Sequence, residues 1–140
     1  MPDVFSKTIS NTLPELQTAL LEVSTFLEGK LSPKAVFAAG LALEEMITNT
    51  LKYGYDDQAP HQIALRLEIN AASALITITD DGRAFNPLLA PPPDTAKPME
   101  ERPIGGLGLH LVRGLVDSID YQRLEGKNVL QIKVSAMNTG

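Results

Sequence analysis

The chain reads as an α+β protein, a two-layer sandwich whose mostly antiparallel mixed sheet carries its helices on one face. Three observations predict this. Strand-like and helix-like segments follow the order β, α, α, β, β, a proline-rich segment, α, β, β. The strands therefore fall in consecutive hairpins with the helices grouped, whereas a parallel sheet needs βα alternation. Finally, 140 residues of which 44% are hydrophobic provide for one core, so residues 1–140 are read as a single domain.

Residues 4–9 alternate, with Val4, Ser6 and Thr8 opposed to Phe5, Lys7 and Ile9, as a short strand should. Thr12 and Glu15 have capping-box spacing and Pro14 sits in the first turn, so a helix is expected from there to about Glu28, ended by Gly29. Its Leu13, Leu16, Leu20, Val23 and Leu27 have core spacing. Ser32-Pro33 is again an N-cap followed by a proline at the first helical position, and the helix it opens should run to about Tyr53, with Gly54 ending it. Residues 62–70 alternate strictly, with Ile63, Leu65, Leu67 and Ile69 on one face. Residues 75–79 alternate too, and the connection at 70–73 suits an antiparallel hairpin.

Residues 87–103, PLLAPPPDTAKPMEERP, hold six of the ten prolines. That excludes a regular helix or a central strand, and the length exceeds an ordinary connection. A linker is the poorer reading, because the 37 residues after it could not form a core unaided, so a lid spanning about 83–105 is expected. Residues 109–117 then form a short amphipathic helix, and 119–124 and 129–135 a final pair of strands turned by Glu125-Gly126-Lys127-Asn128. The formal net charge of −5 argues against a nucleic-acid backbone or an anionic membrane as partner. Cysteine is absent, which excludes disulfides and thiolate chemistry. The first residues lack the basic start and apolar run of a signal peptide, so a soluble, cytoplasmic protein is expected.

Three stretches carry chemistry. Along 40–55, GLALEEMITNTLKYGY, Leu43, Met46, Ile47, Thr50 and Leu51 share one helix side, and Glu45, Thr48, Asn49 and Lys52 another. A carboxylate, an amide and an ammonium thus project together, fit to meet a metal and a phosphate, or simply to form a wet face. Glu44 points away and is structural. Asp80-Asp81-Gly82 ends a strand; it is either a plain turn or a buried carboxylate for an exocyclic amine such as that of adenine. The glycine there allows close backbone approach or positive φ. Gly105, Gly106 and Gly108 lead into the last helix, either as a hinge or as a ring of free N–H groups at a positive helix end that favours an anion. No GxxxxGK[ST] occurs, which excludes a P-loop. His110 is assigned to packing or capping, and His61 receives no role.

The helix with Glu45 and Asn49, the strand end Asp80-x-Gly82, the lid and Gly106-x-Gly108 occur in an order that resembles the GHKL superfamily of ATPases, from Ser32 to the end of the chain. The segments LEEMITNTLKYGY, TDDGRAFNP and GGLGLHLVRGLVD resemble the anti-sigma factor serine/threonine kinase branch, in which the ATPase domain stands alone. The resemblance implies ATP and Mg²⁺ as cofactors, with Asn49 holding the metal, Asp80 binding adenine and Glu45 acting as general base. Its implied nucleotide contacts extend to Lys52, Gly82, Phe85, Arg102, Gly105, Gly106, Leu107, Gly108 and Leu109. It implies a homodimeric kinase that phosphorylates a serine or threonine of a small antagonist (anti-anti-sigma) protein and sequesters a sigma factor. The alternative is a non-catalytic ATP-binding regulatory module working through protein–protein contact. One departure bears on this choice: some members carry a polar donor just before Gly-x-Gly, where this chain has Ile104-Gly105, and Arg102 would have to supply the charge.

Overall fold

A computed structural model describes residues 3–55, 57, 59–70, 73–89 and 104–135. Its elements are β1 (Asp3–Ser10), α1 (Leu13–Leu27), α2 (Pro33–Tyr53), β2 (Gln62–Ile69), β3 (Ser73–Asp80), a 3-10 turn (Pro87–Leu89), α3 (Ile104–Leu115), β4 (Ser118–Leu124) and β5 (Lys127–Ser135). One sheet, ordered β1-β2-β3-β5-β4, joins all five strands. All four ladders are antiparallel, so the mixed component of the expected sheet does not occur among the described strands.

Local chemistry starts both long helices. The Thr12 hydroxyl accepts from Glu15 N at 3.4 Å, but the Glu15 carboxylate reaches back to Ser10 N at 3.2 Å rather than to Thr12, so the capping box closes two residues early. Ser32 Oγ accepts from Ala35 N at 3.2 Å. Along α2, Ala35, Ala38, Ala39 and Ala42 are fully buried at helical spacing, which lets the helix approach its neighbours closely.

Strand alternation puts Ile63, Leu65, Leu67 and Ile69 of β2, Ile76 and Ile78 of β3, and Leu130, Ile132 and Val134 of β5 on one face. There they form a single core with Leu16, Val23 and Leu27 of α1 and Leu43, Met46 and Ile47 of α2. Ala64, Arg66, Gln131 and Lys133 lie on the other face and are exposed. Each large side chain buried in that core contributes roughly 1.5–3 kcal/mol. The same parity continues past the aliphatic residues to Asp80 on β3 and Asn128 on β5, which stand opposite each other in the ladder. Two polar side chains thus end an otherwise apolar face.

The turn between β4 and β5 is tighter than expected. Glu125 (φ 50°) and Gly126 (φ 79°) make it alone, both left-handed as a two-residue hairpin requires, and Lys127 and Asn128 belong to β5. The helix α3 begins at Ile104, so Gly105, Gly106 and Gly108 lie inside its first turns rather than in a loop ahead of it. Packing against α2 outweighs the low helix propensity of these glycines. Most of the expected lid, with Arg102, lies outside the described residues. Its first part is held down where Arg113 Nη2 donates to Leu88 O at 3.0 Å.

Candidate functional site

The polar stripe of α2 is graded: Asn49 is buried, Glu45 and Thr48 are half-buried and Lys52 is exposed. Asn49 is only 2% exposed and Thr50 6%, with the Thr50 hydroxyl turned back onto Met46 O at 3.1 Å. Glu45 Oε1 and Asn49 Nδ2 are buried without a hydrogen-bond partner among the described residues. Orphaned polar atoms are costly in a folded core, and each needs a reason. Burial lifts the Glu45 carboxyl above its ordinary range, opposed by the Lys52 ammonium, reinforced by Glu44 and lowered slightly by the nearby Asn49 amide, which falls short of hydrogen-bond geometry with it. Lys52 itself stays exposed in the last turn of α2.

Above this pair lies α3. A Cβ on Gly108 would stand 2.1 Å from both Glu45 Cδ and Oε2, and 2.4 Å from Oε1, so the carboxylate keeps this position only beneath a glycine. This is a contact between helices that the spacing of the glycines did not suggest. The first four N–H groups of α3, from Ile104 to Leu107, have no partner within the helix, and its positive end lies beside Gly105 and Gly106. Leu109 is 6% exposed and belongs to the core.

At the end of β3 stands Asp80, 5% exposed. Its Oδ1 accepts from Gly82 N at 2.9 Å and from Asn128 Nδ2 at 2.9 Å. Gly82 is needed for close approach and not for a positive φ, because a Cβ there would lie 2.4 Å from Gly54 O. That approach fastens the strand end to the end of α2: Arg83 N donates to Gly54 O at 3.0 Å and Arg83 Nε to Tyr53 O at 2.8 Å. Phe85 packs on Tyr53 with ring centroids 6.1 Å apart, and Arg123 Nη1 holds Gly82 O at 2.8 Å.

A clasp that sequence reasoning missed closes the rim. The His61 ring stacks on Tyr55, centroids 4.3 Å apart, while Nε2 lies 2.8 Å from Asp57 Oδ1 and Nδ1 3.2 Å from Asp81 Oδ1. The hydrogen bond to Asp57 raises the His61 pKa against desolvation, with Asp81 adding to it. The same bond lowers that of Asp57. The Tyr55 hydroxyl is buried without a partner among the described residues, and burial, then Asp80, Asp81 and Asp57, push its pKa well above the ordinary value.

Of the residues singled out from sequence, Glu45, Asn49 and Gly108 meet at one end, and Asp80, Gly82 and Phe85 at the other. Arg102 is outside the described residues. Asn128, Tyr121, Arg123 and the His61 clasp went unnoticed. For Asn128 a signal existed, since Asn128, Leu130, Ile132 and Val134 share one parity, but assigning it to a turn concealed this.

Fold and site together define the class, a two-layer α+β domain with one polar cluster where α3 packs on α2 and another where the end of β3 meets the end of α2. Comparison with known proteins narrows it. The family model of the histidine kinase-like ATPase domain matches residues 9–134, and the chain belongs to that family, whose members are ATPase domains. It is 28% identical over 106 residues to the serine/threonine-protein kinase BtrW of Bordetella bronchiseptica, covering 76% of this chain and 75% of that protein. It is 33% identical over 97 residues to the serine-protein kinase RsbW of Bacillus cereus, covering 66% of this chain and 60% of that protein. The crystal structure of the RsbU and RsbW domains of Rv1364c from Mycobacterium tuberculosis shares the fold at a TM-score of 0.63 and 14% identity, over 94% of this chain and 32% of that one.

Proposed function

We propose that the chain binds ATP with Mg²⁺ across these two polar clusters and transfers the γ-phosphoryl group to a serine or threonine of a small antagonist protein, itself sequestering a sigma factor. The observation that carries the reading is the pair of buried, partnerless atoms, Glu45 Oε1 and Asn49 Nδ2, with the Glu45 carboxylate packed against Gly108 early in α3. An amide whose nitrogen has no partner is free to turn its oxygen toward a cation, and Asn49 would hold the metal in that way. Among the described residues no three His, Asp or Glu side chains converge as a metal cage. Phosphate oxygens and water would therefore supply most of the coordination, as is usual for Mg²⁺. The ion, once bound, neutralises charge developing on the transferred phosphoryl group.

Glu45 is the base in this reading. The attacking hydroxyl forms a bond to the γ-phosphorus as the bond to the β–γ bridging oxygen breaks and ADP leaves, and Glu45 takes the hydroxyl proton. Burial brings its pKa closer to neutrality, where a carboxylate is a better base. Asp80 would accept from the adenine amine, and the N–H groups of Gly105, Gly106 and Leu107 would face phosphate. Lys52, whose charge already acts on Glu45, would add a cation for the same charge. The names of the similar kinases support the activity. Since the match covers 60% of the RsbW length, the antagonist, the sigma factor, a homodimer and a cytoplasmic setting are all part of the proposal. No helix among the described residues is long and apolar enough to cross a membrane.

The test is calorimetric titration with ADP and a non-hydrolysable ATP analogue, with and without Mg²⁺, on the native chain and Asn49→Ala, followed by labelled-phosphate transfer to candidate antagonists. Micromolar, magnesium-dependent binding that Asn49→Ala abolishes is expected. Unchanged affinity in the variant refutes the metal role, and tight binding without transfer to any antagonist leaves the regulatory module as the function.

A further inference from the structure

The amide of Asn128 is 5% exposed and makes four hydrogen bonds. Its orientation is set by the backbone. Phe85 N–H can only donate, so the atom it meets at 3.2 Å is Oδ1. Arg83 C=O can only accept, so the atom facing it at 2.8 Å is Nδ2. The Tyr121 hydroxyl also donates to Oδ1. With both ends assigned, the second Nδ2 hydrogen must go to Asp80 Oδ1, 2.9 Å away.

The consequence falls on Asp80. Oδ1 receives both donors, Gly82 N–H and Asn128 Nδ2, while Oδ2 takes none of the described hydrogen bonds. A carboxylate held at one oxygen presents the other in a fixed direction. Asn128 also ties that carboxylate to the two backbone groups that immediately follow the strand, Arg83 O and Phe85 N. A single hydroxyl has one proton and could satisfy Asp80 or Arg83 O, but not both. An apolar side chain could satisfy neither and would leave Asp80 Oδ1 short of a donor in a buried place.

We propose that Asn128 is a positioning residue that sets base selectivity, aiming Asp80 Oδ2 at an exocyclic amine and coupling that aim to the segment 83–85. This rests on the nucleotide reading given above and adds the residue that makes the carboxylate discriminating. It predicts selectivity specifically for a purine bearing a 6-amino group. Other purine nucleotides of equal charge bind through their phosphates alone.

The experiment compares ATP with purine riboside triphosphate, which keeps the ring and phosphates but has hydrogen in place of the amine. Both are titrated calorimetrically into the native chain, Asn128→Thr and Asn128→Val. Thr and Val have the same shape, so the pair differs by one hydroxyl. The native chain should prefer ATP about 10- to 100-fold, the range of one hydrogen bond to a charged group. Asn128→Val should bring the two affinities within about threefold by weakening ATP and sparing the analogue, and Asn128→Thr should recover part of the preference. Equal weakening of both nucleotides in Asn128→Val, or an undiminished preference for ATP in it, overturns the positioning role. If Asn128→Val does not fold, Asn128→Ser and Asn128→Ala give the same one-hydroxyl comparison. A native chain that binds neither nucleotide overturns the nucleotide reading itself, whereas one that binds both equally overturns only the selectivity.

Discussion

The two polar clusters, at the end of β3 and between α2 and α3, are built on opposite plans. Around Asp80, hydrogen bonds from Gly82 and Asn128 satisfy Oδ1, and Asn128 spends both ends of its amide. Around Glu45 and Asn49, two buried polar atoms have no partner among the described residues. The closed end is a rigid network, in which low local dielectric strengthens each bond. The open end keeps an unfavourable arrangement that a charged ligand would relieve, as functional sites commonly do. One atom blurs the contrast, because the Tyr55 hydroxyl near Asp80 is also an orphan. The difference is that the polar groups around Asp80 are satisfied within the fold, while those around Glu45 and Asn49 are not.

The sharpest way to test the open end is Glu45→Gln. It keeps shape and loses the base, so phosphoryl transfer should fall about 10²- to 10⁴-fold while ATP affinity by calorimetry stays near native. Equal losses in binding and transfer would make Glu45 a binding residue. Gly108→Ala should follow, with a loss of about 10²-fold, since the new methyl pushes the carboxylate out of place. Two effects compete in its stability. Alanine favours a helix over glycine by roughly 1 kcal/mol, and the clash is with a flexible side chain that can move. The melting temperature should therefore change little while activity collapses, and a native rate would show that α3 yields instead of Glu45.

At the closed end the same kind of substitution should damage the fold instead. A Cβ at Gly82 meets Gly54 O, a backbone atom, at 2.4 Å, and the loops cannot part without losing Arg83 N to Gly54 O. Gly82→Ala should cost about 1–3 kcal/mol in urea unfolding, against a typical total of 5–15 kcal/mol. A native midpoint would mean that this end is as yielding as the other, and the contrast would fail.

The contrast also explains what could be read from the chain alone. Elements with local causes were legible: the caps at Thr12 and Ser32, the alternation of β2, and the i, i+4 pairing of Glu45 with Asn49 on one helix. The strand end Asp80-x-Gly82 was legible as a motif, and its glycine as a site of close approach. What escaped depends on register across long separations. Asn128 meets Asp80 from 48 residues away, and Gly108 meets Glu45 through the crossing of two helices. No periodicity within either segment specifies which partner it will find. His61 was passed over for the same reason, since its meaning comes from Tyr55, Asp57 and Asp81 together.

That clasp gives the smallest effect and the finest probe of the closed end. His61 has a raised pKa, so its contribution to stability is full below the unfolded value of 6.5 and is lost as pH rises through the folded value. Asp57 has a lowered pKa, so its contribution is full above 3.8 and is lost as pH falls through the folded value. The pair therefore supports the rim most between about pH 3.8 and 6.5. By NMR the His61 ring should titrate above 6.5. Asp57→Asn should move that midpoint down, because the first cause of the shift is removed, while Asp81 keeps part of it. ATP selectivity should stay unchanged in Asp57→Asn, since Asp80 Oδ1 is held by Gly82 and Asn128 and not by the clasp. A midpoint unmoved by Asp57→Asn would assign the shift to Asp81, and a change in selectivity would make the rim part of the base-reading network rather than its border.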